Sequence, residues 1–296
     1  MGNILTKQFY RQRKDFEDSC AGRDAGLTFP EGVICSTDIA YADDGIKAHM
    51  LDIYRPEESQ EKILPVIINV HGGGLIIGNK EFNRYFCALL CKKGFLVYSI
   101  EYRLIPDCLM YDQISDVFMA MDYIKERLAA DGGDSSHVYM AGDSGGACLI
   151  TYANAIQNNT NIARAANVTP SGLRINALGL ISGMFYTSRF DKIGLFLPKY
   201  LYGRDYKKTP FAKYVNPENR ELLNSLAPVW LVTSHNDFLR RYTTDFEKAL
   251  TRAEREHELV VFPKNKKLTH AFSVFEPFLP ESSAVIDMMV EYLRKF

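Results

Sequence analysis

Two short glycine-rich segments carry the residue types that could do covalent chemistry: Gly142-Asp143-Ser144-Gly145-Gly146 and His71-Gly72-Gly73-Gly74. Each follows an apolar run that reads as a buried strand, 137–141 for the first and 64–70 for the second. A serine in a G-x-S-x-G turn between strand and helix stands exposed above the sheet, because only small neighbours fit so tight a turn. A glycine-rich turn after an earlier strand leaves backbone N–H groups free to face a developing oxyanion, which here points to Gly72 and Gly73, joined by Gly145 behind the serine. Either segment alone arises by chance or as plain loop geometry. Together, in this order and each behind a strand, they specify acyl transfer through Ser144.

An acid and a base must complete such a site. The run 227–234 reads as a late strand, and His235-Asn236-Asp237-Phe238-Leu239 follows it, making Asp237 the candidate acid. A helical stretch at 242–257, a short strand at 258–262 and a loop at 263–269 then lead to His270, the candidate base. Most aspartates after a strand serve only as turn or cap residues, and most histidines beside an aromatic are packed surface groups. The serine elbow weights these two toward catalysis. His235 is a rival base, but its place in the turn of the acid suits it poorly to the task.

The chain resembles the hormone-sensitive-lipase-like family of α/β-hydrolases, whose members carry HGGG and GDSAGG motifs. Glu101-Tyr102-Arg103-Leu104-Ile105-Pro106-Asp107 is similar to the family's DYRLAPE segment, and His270-Ala271-Phe272 to its HGF segment. The match runs from about Tyr41 to the C-terminus. It implies an α/β-hydrolase fold, the chain order Ser144, Asp237, His270 for the triad, and ester or small-amide hydrolysis without a cofactor. There are two departures. Gly145 stands where the family has alanine, which keeps the N–H donor and loosens the turn. Asp237-Phe238-Leu239 replaces Asp-Pro-Leu, which leaves the acid in place.

Composition bounds the rest. With 296 residues, 47% hydrophobic and 24% charged, the chain suffices for one large α/β core. Lys+Arg 35 against Asp+Glu 36 gives a formal net charge of -1, so no basic field recruits nucleic acid or anionic lipid. The run Lys264-Asn265-Lys266-Lys267 reads as a solvated loop. Six cysteines, sparse and mostly within apolar runs, suggest small hydrophobes in a reducing cytoplasm rather than a disulfide scaffold. Cys87 and Cys91 share a helix face, but no ligand set accompanies them, and no metal is expected. The first 18 residues lack the apolar core of a signal peptide, and no run approaches a membrane span. Met1-Gly2-Asn3-Ile4-Leu5-Thr6 fits an N-acylation pattern that recurs by chance, and lipidation of Gly2 stays open.

The expected organisation is a single α/β-hydrolase domain, 1–296, with a mostly parallel central sheet flanked by helices. Residues 1–30 suggest one or two short helices. Residues 33–54 read as a hairpin turning at Asp44-Gly45, and helices at 81–93, 112–130 and 145–157 alternate with strands. The segment 183–225 interrupts this alternation after a strand at 173–182. It is rich in aromatics, namely Phe185, Tyr186, Phe190, Phe196, Tyr200, Tyr202, Phe211 and Tyr214. With residues 1–30 it reads as a cap over the site, although part of those rings would only fasten loops to the core.

The reading that follows is a serine carboxylesterase for short acyl esters of small molecules, with self-association into a homodimer left open. An amide or formamide hydrolase and a carbohydrate acetyl esterase use the same triad. A non-catalytic ligand-binding receptor on this fold would dispense with His270.

Overall fold

The computed structural model describes residues 2–59 and 62–296, with side chains from residue 6 onward. Of the acylation pattern at 1–6, Met1 and the side chains of 2–5 therefore lie outside the described residues. One eight-stranded sheet organises the chain, in the order β1-β2-β4-β3-β5-β6-β7-β8. Its strands are β1 (Val33–Ala40), β2 (Met50–Pro56), β3 (Leu64–Val70), β4 (Leu96–Ile100), β5 (Gly133–Asp143), β6 (Ala177–Ile181), β7 (Val229–Ser234) and β8 (His257–Phe262). The β1/β2 hairpin and the β2/β4 pairing are antiparallel, and every pairing from β4 through β3 to β8 is parallel.

Parallel strands covered on both faces are apolar throughout, and alternate residues divide between two cores. Val66, Ile68 and Val70 of β3 face one cluster with α3 (Met110–Arg127) and α4 (Ser144–Asn158). Ile67 faces the other, with α2 (Arg84–Lys92) and the C-terminal helix α11 (Pro280–Leu293). Smaller helices complete the chain: α5 (Thr160–Ala166), α6 (Lys192–Phe196), α7 (Pro198–Leu201), α8 (Arg220–Asn224), α9 (Arg240–Arg252) and α10 (Phe272–Phe275). Ahead of them all, α1 (Gly2–Asp24) is one continuous helix where the sequence suggested one or two short ones. Among the described residues no helix is long and apolar enough to cross a membrane.

Register decides what meets at the carboxyl edge. Val70 pairs with Gly142, Ile181 with both Asp143 and Val232, and Ser234 with Phe262. The segments leaving β3, β5, β7 and β8 therefore emerge side by side, as ligand sites in open α/β sheets require. The segment leaving β4 is fixed by charge: Arg103 grips the fully buried Asp116 of α3 through Nη2 at 2.6 Å and Nε at 2.9 Å, and Asp116 also accepts the Arg103 N–H at 3.0 Å. Losing one partner of such a pair strands the other, so Asp116→Ala is expected to cost about 3 kcal/mol, read from urea unfolding.

Candidate active site

Ser144 opens α4 directly behind β5. Its φ of 49° puts a residue bearing a Cβ in the left-handed region, the backbone strain of a nucleophile elbow. Asp237 lies in the turn after β7, where its carboxylate accepts the Leu239 N–H and the Thr233 hydroxyl, each at 2.8 Å. His270 follows β8 and directs Nδ1 to Asp237 Oδ1 at 2.7 Å. Burial pushes the Asp237 carboxyl upward, but the His270 hydrogen bond and charge outweigh it, so the group lies below its ordinary pKa and stays ionised.

Two further contacts hold the histidine loop. The buried Ser182 accepts the Ala271 N–H at 3.1 Å, and Ser234 donates to the Leu268 carbonyl. The exposed Phe238 ring lies 4.4 Å from the His270 ring, centroid to centroid. No hydrogen bond joins Ser144 Oγ to His270 among the described residues. His235 faces solvent with Arg240 at 2.8 Å and takes no part in this arrangement.

The glycine turn corrects one expectation. The Gly72 N–H donates to Asp143 Oδ1 at 3.0 Å and is unavailable to an oxyanion. A Cβ on Gly72 would fall 2.1 Å from Asp143 Oδ2, so glycine is needed here for close approach. Asn83 Nδ2 reaches the same carboxylate oxygen at 3.0 Å, and burial holds the Asp143 pKa above its ordinary value. The N–H groups of Gly73 and Gly74 donate to no acceptor among the described residues, and both glycines border the cavity beside Ser144. Gly145, the second residue of α4, has no helical carbonyl four residues back to bond.

Behind the turn, His71 is fully buried, stacked on Tyr102 at 4.4 Å, with Nε2 2.8 Å from Glu101. Burial opposes its charge, yet the Glu101 carboxylate prevails and raises its pKa. Sequence reasoning passed over Asn83, Ser182 and Thr233, which carry no local signature. Glu101 was visible only as part of a motif.

Ser144, His270, Gly73 and Gly74 border a cavity of about 470 Å³ whose remaining wall is almost wholly apolar. Phe16 of α1, Phe82 and Phe275 form one side, as rings 4.9 and 4.7 Å apart, and Met184, Ile193, Leu197 and Phe238 contribute elsewhere. No aromatic of 183–225 lines it. Phe185 stacks on Phe246 at 4.2 Å, Phe211 and Tyr214 sit in the core, and Phe190 faces solvent. Two larger depressions, about 860 and 600 Å³, lie at the amino ends of the strands, around Arg220 and Arg127, remote from Ser144.

Residues 67–273 match the model of a family with the alpha/beta hydrolase fold, and the chain belongs to it, within the hormone-sensitive-lipase-like group. It is 29% identical over 184 residues to a probable isoprenylcysteine alpha-carbonyl methylesterase of Oryza sativa subsp. japonica, covering 58% of this chain and 44% of that protein. It is 32% identical over 120 residues to the esterase LipQ of Mycobacterium tuberculosis, covering 40% and 28%. The chain thus spans less than half the length of either relative. Among solved structures, esterase B from Lactobacillus rhamnosis superposes with a TM-score of 0.92 over 100% of this chain and 96% of that one, at 22% identity. A bacterial heroin esterase gives 0.72 over 97% and 91%, also at 22% identity. These structural likenesses establish the fold.

Gly145, where the family pattern has alanine, is more constrained than the sequence suggested: a Cβ there would lie 2.8 Å from Leu75 N and 2.9 Å from Gly74 N. Glycine brings the two loops together rather than loosening the turn. Gly145→Ala is therefore expected to displace the 73–77 turn and cost about 2 kcal/mol, measured by urea unfolding.

Proposed function

We propose that the protein is a serine carboxylesterase acting on short acyl esters of small apolar molecules. The observation that carries this reading is the 2.7 Å His270–Asp237 hydrogen bond beside an apolar cavity that Ser144 and His270 share. Ser144 Oγ attacks the ester carbonyl as His270 Nε2 takes its proton, and the ionised Asp237 holds the imidazole tautomer and stabilises the imidazolium. The N–H groups of Gly73, Gly74 and Gly145 receive the oxyanion, each donor contributing on the order of a hundredfold or more in rate. His270 then protonates the departing alcohol, and water, deprotonated by the same histidine, releases the acid. No cofactor takes part.

Two lines of support narrow the substrate. The curated relatives bear the names of esterases, one of them a methylesterase. An acetylated sugar would bring hydroxyls to a wall that offers them few polar partners, whereas an apolar acyl or alcohol group matches it. The six unpaired cysteines favour a cytoplasmic setting.

Ser144→Ala is expected to abolish hydrolysis of p-nitrophenyl acetate and labelling by a serine-directed phosphonate, with unchanged thermal unfolding. Asp237→Asn and His270→Ala should each lose at least about a hundredfold in kcat, and the double variant little more, because the triad acts as a unit. Near-normal kcat in Asp237→Asn would remove Asp237 from the mechanism.

Acyl length is set by the Phe16, Phe82 and Phe275 side of the cavity. Each methylene that fits contributes about 0.8 kcal/mol until the space is filled. Across p-nitrophenyl esters from acetate to palmitate, kcat/KM should peak between acetyl and butyryl. A maximum at decanoate or longer would overturn the short-chain assignment.

A further inference from the structure

We propose that Arg13, on the N-terminal helix and remote in sequence from every catalytic motif, is a positioning residue that sets the oxyanion turn. The inference rests on the reading of Gly73 and Gly74 as oxyanion donors and adds what aims them. Arg13 is largely buried and spreads its guanidinium over two loops: Nε donates to the Ile76 carbonyl at 2.8 Å, and Nη2 to the carbonyls of Leu104 at 3.0 Å and Ile105 at 2.6 Å. Nη1 pairs with Asp107 at 2.8 Å, and Asp107 also accepts the Tyr10 hydroxyl of the same helix.

Ile76 belongs to the turn itself. Its N–H and that of Ile77 both close on the Gly73 carbonyl, at 3.1 and 3.0 Å. Leu75 is fixed from the other side, its carbonyl accepting Gln113 Nε2 and the Ile105 N–H, both at 3.0 Å. With Leu75 and Ile76 pinned by their carbonyls, the peptide planes of 73–75 have little freedom, and the two glycines whose N–H groups find no acceptor among the described residues border the cavity. A rigid planar fork reaches three carbonyls and a carboxylate together, which a single ammonium does not. The helix read as a cap from sequence thus also completes the turn beneath it.

Removing the clamp should degrade oxyanion stabilisation without emptying the substrate cavity. In Arg13→Ala, kcat on p-nitrophenyl acetate is expected to fall roughly tenfold to a hundredfold, with KM within about threefold. Added methylguanidinium should restore part of kcat at unchanged KM. Arg13→Lys, which keeps the Asp107 pair but not the three carbonyl contacts, should remain impaired and fold like the wild type. Wild-type kcat in Arg13→Ala or in Arg13→Lys would overturn the proposal, as would a loss in both that methylguanidinium leaves untouched and that follows a fall in Tm. An active Ser144→Ala would instead sink the underlying serine-esterase reading, so the two failures are distinguishable.

Discussion

A single buried carboxylate holds the site together. Asp143 ends β5, one residue before the serine, and its Oδ1 accepts hydrogen bonds from the Gly72 N–H and from Asn83. A carboxylate removed from water is costly unless donors compensate it, so Asp143 specifies where the glycine turn and the segment leading into α2 must lie. Parallel pairing of Val70 with Gly142 brings the two strand ends level, and the carboxylate then fastens one loop to the other. The absence of a side chain on Gly72 is what permits the contact, and the N–H groups of the next two glycines donate to no acceptor among the described residues.

The fold and its family were legible because strand-ending motifs report their own position. Ser144 and Asp237 each follow an apolar run that reads as a buried strand, His270 follows a short strand and a loop, and such strands deliver their carboxyl ends to one edge. Gly72 was misread for a definite reason. The direction of an N–H depends on which acceptor lies nearby in three dimensions, and Asp143 enters from another strand 71 residues away. The cavity wall was hidden for the same reason, since Phe16, Phe82 and Phe275 share no local periodicity. The C-terminal helix α11 did leave a signal that went unused: Pro280 at its first turn ahead of Val285, Ile286, Met289 and Leu293.

The insertion illustrates how composition misleads about location. Its rings are largely spent on packing, with Phe211 touching Tyr111, Tyr152 and Tyr202, while its contribution to the cavity is aliphatic. Rings bury large areas at low entropy cost, which suits them to anchoring an irregular segment as well as to gripping a ligand. Density of aromatics in sequence does not separate these uses.

The cysteines bear on how the protein meets reactive chemicals. Burial holds the thiols of Cys20 and Cys35 at about 11 and those of Cys91, Cys108 and Cys148 at about 12, and raises Cys87 as well. At neutral pH the thiolate fraction is then on the order of one in ten thousand or less. None of the six borders the cavity, although Cys148 sits one helical turn beyond Ser144. An electrophile entering from solvent finds no thiolate competing with the serine hydroxyl, and alkylating agents that disable thiol-dependent enzymes should pass this one by, which leaves the Met184 thioether as the sulfur that an oxidant would meet in the cavity wall.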